Sequence, residues 1–210
     1  MVSQSDLSPY QLHVRKWRDC QRCSLAPQRK RVVFARGEVP ADLLFVGEAP
    51  GNSENATGLP FDGPAGSLMD RIIREALDLD LGRQRGFFRY PDDVRPVPTI
   101  ALYNLVSCYP REAKQDGTHR PPPDAVRACS PKLREFIGIC RPRLIVCVGQ
   151  LAEKHIHLAA DAASETLKFV HVMHPSNILK NLPIAQKDLE VKKSVVRIRK
   201  ATREVLGDVC

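Results

Sequence analysis

Leu43-Leu44-Phe45-Val46 runs directly into Gly47-Glu48-Ala49-Pro50-Gly51-Asn52-Ser53-Glu54, and Gly58-Leu59-Pro60-Phe61-Asp62-Gly63-Pro64-Ala65-Gly66 follows a few residues later. A short apolar run closed by glycine reads as a buried strand, here residues 42–47. The loop after it carries the carboxylates of Glu48 and Glu54 and a lone aromatic, Phe61. Leu68, Ile72, Ile73 and Leu77 then recur at helical spacing, predicting a helix over 64–80 with Pro64 in its first turn. Strand, glycine-rich loop and helix in that order belong to an open α/β sheet, where ligands sit outside the carboxyl ends of the strands. The loop after Gly47 is therefore the place to expect an active site.

The same alternation continues outward. Helices are predicted over 8–19, 124–140, 152–158 and 183–206, and strands over 99–106, 144–148 and 168–172. Residues 81–98 are rich in Arg, Gly and Pro and read as a loop or small excursion, and residues 111–123 read as a polar, proline-rich loop. Buried strands alternating with helices imply a parallel sheet covered on both faces. The expected fold is a three-layer α/β/α sandwich around a mainly parallel four-stranded sheet, in one domain over residues 1–210. Glu48, Asn104 and His174 each fall just after or at the end of a strand. In a parallel sheet those ends share one edge, so the three can converge.

With 210 residues, 43% hydrophobic and 27% charged, the composition is that of a globular domain with a substantial core. No apolar run approaches the length of a membrane span, and the first residues lack the layout of a signal peptide, so a cytoplasmic protein without membrane contact is expected, with a monomer as the default. The formal net charge of +8 suits a polyanionic partner, most simply nucleic acid, and suits a plain basic surface equally well. Part of the excess lies among Lys187, Lys192, Lys193, Arg197, Arg199, Lys200 and Arg203, which read as the solvated face of the last helix.

Seven cysteines, an odd number, argue against a disulfide framework. Cys147 lies inside an apolar strand and Cys140 ends a helical pattern, so both read as core thiols; Cys210 is terminal. Cys20 and Cys23 form one close pair, while Cys108 and Cys129 stand far apart, so only tertiary folding could assemble the four. Their spacing leaves an iron–sulfur cluster, a zinc ion and no metal all open.

Taken together, Gly47-Glu48-Ala49-Pro50-Gly51-x-x-Glu54, the Gly-x-Pro-Phe-x-Gly-x-Ala-Gly stretch ending at Gly66, Asn104-Leu105-Val106-x-Cys108-x-Pro110, Cys20-x-x-Cys23, Cys129-Ser130-Pro131 and His174-Pro175-Ser176 resemble the family-4, iron–sulfur-containing uracil-DNA glycosylases. These motifs occur in the family's order from residue 20 to residue 176. The resemblance implies a [4Fe–4S] cluster on Cys20, Cys23, Cys108 and Cys129, with a structural role. It implies uracil-containing DNA, single- or double-stranded, as the partner. The implied activity is hydrolysis of the N-glycosidic bond of deoxyuridine by a monofunctional enzyme of base excision repair.

Roles follow from chemistry. A base must leave the stack before that bond can be reached, and stacking it on an aromatic recovers ~1–3 kcal/mol, a task for Phe61. The amide of Asn104 offers both a donor and an acceptor to the pairing edge of uracil. Glu48 stabilises the developing sugar cation and positions water. His174 donates to the uracil oxygen that gains charge, either as a neutral or as a charged ring. By resemblance, Glu54 shapes the pocket against the methyl group of thymine. Gly47 and Ala49 offer backbone N–H groups to the base, and Pro175 and Ser176 shape a loop that contacts phosphates or wedges into the gap. His171 reads as structural. His119 and Arg120 read as phosphate contacts. A related branch uses a histidine in this loop to link covalently to the abasic sugar. That branch has Gln where this chain has Ala49 and a basic run where this chain has Lys114-Gln115-Asp116-Gly117, so turnover is expected and covalent capture is the alternative.

Overall fold

A computed structural model describes residues 7–79, 98–111, 119–160 and 167–207. The excursion expected over 81–98 and most of the loop after Arg111 lie outside the described residues. Five strands form one sheet: β1 (Arg36–Gly37), β2 (Leu43–Gly47), β3 (Ile100–Asn104), β4 (Leu144–Val148) and β5 (Lys168–Val172), in spatial order β1-β3-β2-β4-β5. β2, β3, β4 and β5 are parallel to their neighbours, and β1 pairs antiparallel with β3. The expected count was four. The additional strand is two residues long, too short to carry a period-two pattern. It is held by Arg36, which pairs with Asp70, and by Gly37, whose φ of +99° and close approach to the Ile100 carbonyl exclude a side chain.

Every residue of β2, β3 and β4 is buried, which is why these segments read as continuous apolar runs. Alternate side chains feed two cores. Leu44, Val46, Tyr103, Ile145 and Cys147 face one layer with Leu133 and Phe136 of α4 (Pro123–Cys140). α1 (Pro9–Trp17) packs on α4 in that layer, entered through a Ser8–Gln11 capping box. Leu43, Phe45, Leu102, Leu144 and Val146 face the other layer, built from α3 (Pro64–Leu77) and α7 (Ile184–Leu206). The fold is thus the α/β arrangement expected, with helices on both faces of a mostly parallel sheet. The thiols of Cys140 and Cys147 are each pushed up to about 12 by burial, which suits inert core positions.

Two short helices were not anticipated. α2 (Asn52–Thr57) forms inside the glycine-rich loop, and α6 (Pro175–Asn181) begins at the His174-Pro175-Ser176 motif. Between them in sequence, α5 (Gln150–His155) starts two residues ahead of the expected helix and ends in a single 3-10 turn, Ile156–Leu158.

Candidate active site at the carboxyl edge of the sheet

The register sets Gly47 opposite Asn104, so the last residue of β2 and the last residue of β3 are partners across the sheet edge. The absence of a side chain at Gly47 is what lets the site close. A Cβ there would stand 2.4 Å from Asn104 Oδ1 and 2.7 Å from Phe61 Cζ. The Asn104 amide and the Phe61 ring therefore converge on one stretch of backbone. Both side chains are almost wholly buried, Asn104 at 4% and Phe61 at 5% exposure. Leu105 and Val106 donate their N–H groups to the carbonyls of Gly47 and Glu48 (2.8 and 3.0 Å), which binds the two strand ends together past the last ladder pair.

Phe61 has a φ of +57°, a left-handed conformation that is uncommon for a bulky residue. Two contacts impose it. Gly66 packs so closely that a Cβ would lie 1.8 Å from the Phe61 carbonyl oxygen. On the other side, the Glu54 carboxylate accepts hydrogen bonds from the backbone N–H groups of Gly51 and Phe61. Backbone strain of this kind is stored at functional sites. Glu54 thus acts within its own loop: it caps α2 and anchors Phe61. Burial pushes its carboxyl above the usual range.

A second glycine organises the other half. Gly149 follows β4 with a φ of +98°, and a Cβ there would meet Glu48 Oε1 at 2.6 Å and His174 Cβ at 3.1 Å. Glu48, leaving β2, and His174, leaving β5, therefore flank the same residue. Burial raises the Glu48 carboxyl, while the Leu151 N–H at 3.5 Å and the positive charge of Arg120 pull it back. Arg120, expected as a phosphate contact, thus acts on the carboxylate from an exposed position.

His174 settles a point its sequence could not. It is the N-cap of α6, and its Nδ1 accepts from the backbone N–H of Ser176 at 3.2 Å. An Nδ1 that accepts leaves the proton on Nε2. Burial lowers the imidazole to about 4, so the ring is neutral at ordinary pH and presents an Nε2–H donor. The Ser176 hydroxyl lies 2.7 Å from the same Nδ1. Pro175 is buried at the first helical position, where its missing N–H costs nothing. Pro175 and Ser176 therefore orient the histidine. Ala49 packs against the α1/α4 core. His171 lies on β5 with Nδ1 3.8 Å from Glu153, a structural pairing. His119 is exposed, with Nδ1 3.1 Å from the Pro110 carbonyl and its ring 5.6 Å from that of Tyr109.

The four remaining cysteines gather on the α1/α4 side. Cys23 experiences the charges of Cys20 and Cys129, and Cys108 those of Cys129 and Cys23. Burial pushes the Cys108 thiol up to about 11. Asp124, in the first turn of α4, accepts from the backbone N–H and hydroxyl of Ser24 (3.1 and 2.9 Å), tying the Cys20–Cys23 loop to the helix that bears Cys129. Among the described residues, no three or more His, Cys, Asp or Glu side chains are gathered closely enough for a single metal ion. The surroundings fit an anionic group: Lys132 Nζ and Arg29 Nη1 are buried without a hydrogen-bond partner, and both cations act on Cys108.

The family model described as the uracil DNA glycosylase superfamily matches residues 34–195, a stretch that contains both glycine-centred halves of the site. The chain belongs to this superfamily. It is 33% identical over 150 residues to a type-4 uracil-DNA glycosylase of Saccharolobus solfataricus, covering 71% of this chain and 60% of that protein. A type-4 enzyme of Pyrobaculum aerophilum is 35% identical over 65% of this chain and 59% of its own length. The match thus spans little more than half of these relatives. One from Thermotoga maritima is 28% identical over 85% of this chain and 90% of its own length. Among solved structures, that of Pedobacter heparinus SMUG2 superposes with a TM-score of 0.54 at 13% identity, covering 78% of this chain and 76% of its own, a likeness of fold. These relatives are named as glycosylases, and covalent capture through His119 gains no support from them. Among the described residues no helix is long and apolar enough to cross a membrane.

Proposed function

We propose that this protein is a monofunctional uracil-DNA glycosylase, which hydrolyses the bond between uracil and deoxyribose in DNA and leaves an abasic site for base excision repair. The observation that carries the reading is the pair of glycine contacts at neighbouring strand ends. Gly47 brings Asn104 and Phe61 together, and Gly149 brings Glu48 and His174 together. One pair has the chemistry to bind a flipped base, and the other has the chemistry to cleave it. Phe61 stacks the base and Asn104 pairs with its edge. As the bond from the base nitrogen to the sugar breaks, its electron pair stays on uracil, and His174 Nε2–H stabilises the oxygen that takes up the charge. Glu48, ionised, faces the sugar cation and orients the water whose oxygen forms the new bond; the proton of that water leaves through the carboxylate to solvent. A neutral donor suits this task, because it loses little on being buried while the leaving base is still neutral.

In the same reading, Cys20, Cys23, Cys108 and Cys129 would hold a [4Fe–4S] cluster. When bound, it supplies a cross-link between the N-terminal loop, the chain after β3 and α4. The chain works as a single-domain cytoplasmic monomer on uracil in single- or double-stranded DNA. Arg120 tunes Glu48, and His119 lies beside the DNA path.

An end-labelled oligonucleotide with one deoxyuridine, run against a thymidine control, tests the reaction. Uracil-dependent strand breaks after alkali, with no protein–DNA adduct on denaturing protein electrophoresis, are the expected result. An adduct without free product, or no signal from protein shown to hold its cluster, would overturn it.

A further inference from the structure

Lys132 is an unusual lysine. It lies on α4 one turn beyond Cys129, on the same helix face, and is only 1% exposed. Lysines are almost never fully buried unless paired, yet its Nζ has no hydrogen-bond partner. The nearest carboxylate on the next turn, Glu135, is engaged elsewhere: Oε2 takes Lys16 at 2.5 Å and Oε1 takes His13 at 3.0 Å. What faces the ammonium is the ring of Trp17, 5.9 Å away, which Lys16 and Arg22 also approach at 5.2 and 5.6 Å. One aromatic face shared among three cations is weak compensation for a buried charge. Arg29 repeats the anomaly. One of its terminal nitrogens donates to the Cys20 carbonyl, and the other is buried with no acceptor.

We propose that Lys132 and Arg29 are the buried counter-cations of the four-cysteine cluster site, balancing its charge and raising its reduction potential. The inference rests on the reading of Cys20, Cys23, Cys108 and Cys129 as cluster ligands. Four thiolates around a core of charge 2+ leave two net negative charges, and two buried cations offset them. Lys132 lies one turn from Cys129 on α4 and Arg29 donates to the Cys20 carbonyl, which places both beside the cysteine set. Gain of one electron from an external donor adds a further negative charge. A fixed cation nearby favours the more reduced state, so it raises the potential of any one-electron couple of the cluster. The contacts of Lys132 with Trp17 and of Arg29 with the Cys20 carbonyl lie in the cysteine layer, so the role is electrostatic support of the cluster.

The test compares wild-type protein with Lys132→Met, which keeps the length and removes the charge, and Lys132→Arg, which keeps the charge. Each is purified anaerobically, assayed for iron and visible absorbance, and titrated potentiometrically with soluble mediators. The expected result is a more negative potential in Lys132→Met and a near-native one in Lys132→Arg, with Arg29→Gln shifting in the same direction as Lys132→Met. Loss of the cluster in Lys132→Met but not in Lys132→Arg supports the proposal equally. A fully loaded Lys132→Met with the wild-type potential would overturn it, as would loss of the cluster in both Lys132 variants, which would mark packing rather than charge as the cause. A wild-type protein that never holds iron would instead refute the cofactor reading itself.

Discussion

The strand-edge site and the cysteine layer lie on one sheet but are assembled in different ways. At the edge, Glu48, Asn104 and His174 stand at or just past strand ends, Phe61 reaches in from the loop ahead of α3, and two glycines, Gly47 and Gly149, allow the approach. In the cysteine layer, the thiols come from a loop, the segment after β3 and the middle of α4, and sequence-distant contacts such as Ser24–Asp124 bring them into place. The edge is built on hydrogen-bonded strand ends and can position atoms finely. The cysteine layer instead holds two buried cation atoms, Lys132 Nζ and Arg29 Nη1, that lack a hydrogen-bond partner. Under the proposed function the contrast implies a division of labour, with chemistry at the strand edge and cohesion of the N-terminal segment at the cysteines.

Substitutions at the edge should have the largest effects. Gly149→Ala places a methyl group within 2.6 Å of Glu48 Oε1 and against His174. A displacement of about 1 Å near reacting groups costs roughly 100-fold, so single-turnover uracil release should fall by about that factor while DNA affinity holds. An unchanged rate would mean that Glu48 and His174 need not meet. Phe61→Ala removes the stacking surface, worth ~1–3 kcal/mol per base, and should weaken binding of uracil-containing DNA by roughly 5- to 150-fold in a fluorescence titration.

Acidity sharpens the comparison within the edge itself. The Glu48 carboxyl is raised by burial, so the rate should fall as pH drops through that raised value, and Glu48→Ala should flatten this limb. His174, lowered to about 4, should add no step near its ordinary value of about 6.5. A step there in the pH–rate profile would show that His174 works as a cation. For folding the sign is opposite to that of a salt-bridged histidine. The unfolded ring takes a proton below about pH 6.5 while the folded one resists to about 4, so the contribution of His174 to stability declines as pH falls across that interval.

The smallest effect on the reaction belongs to the cysteine side. Asp124→Ala removes both hydrogen bonds to Ser24 and should speed loss of iron from the protein, measured by chelator challenge. Uracil release by fully loaded protein should stay at the wild-type rate. A slow but fully loaded variant would erase the division of labour.

The edge was more legible in sequence than the cysteine layer for a physical reason. β2, β3 and β4 are buried on both faces and announce themselves as apolar runs, and their ends carry Glu48, Asn104 and Gly149 in plain view. The two-residue β1 has no such signal. α2 and α6 begin among Gly, Pro, Ser and Asn, which read as loop until capping groups such as the Glu54 carboxylate and the His174 ring are seen in place. The neutral state of His174 follows from a contact two residues away combined with burial, and burial is a property of the tertiary fold. Sequence offered no hint of Lys132, whose character shows only when the chain packs Trp17 over it. Gly149 could have been found earlier: a lone glycine closing an apolar strand, at the level where two other strands end in Glu and Asn, marks a close approach.

Single-turnover uracil release by Glu48→Ala, measured beside DNA affinity, tests most directly whether the strand edge performs the chemistry. Loss of an electrostatic group aimed at developing charge costs roughly 100- to 1,000-fold. The account predicts a fall of that size with DNA affinity unchanged; wild-type release by the variant would contradict it.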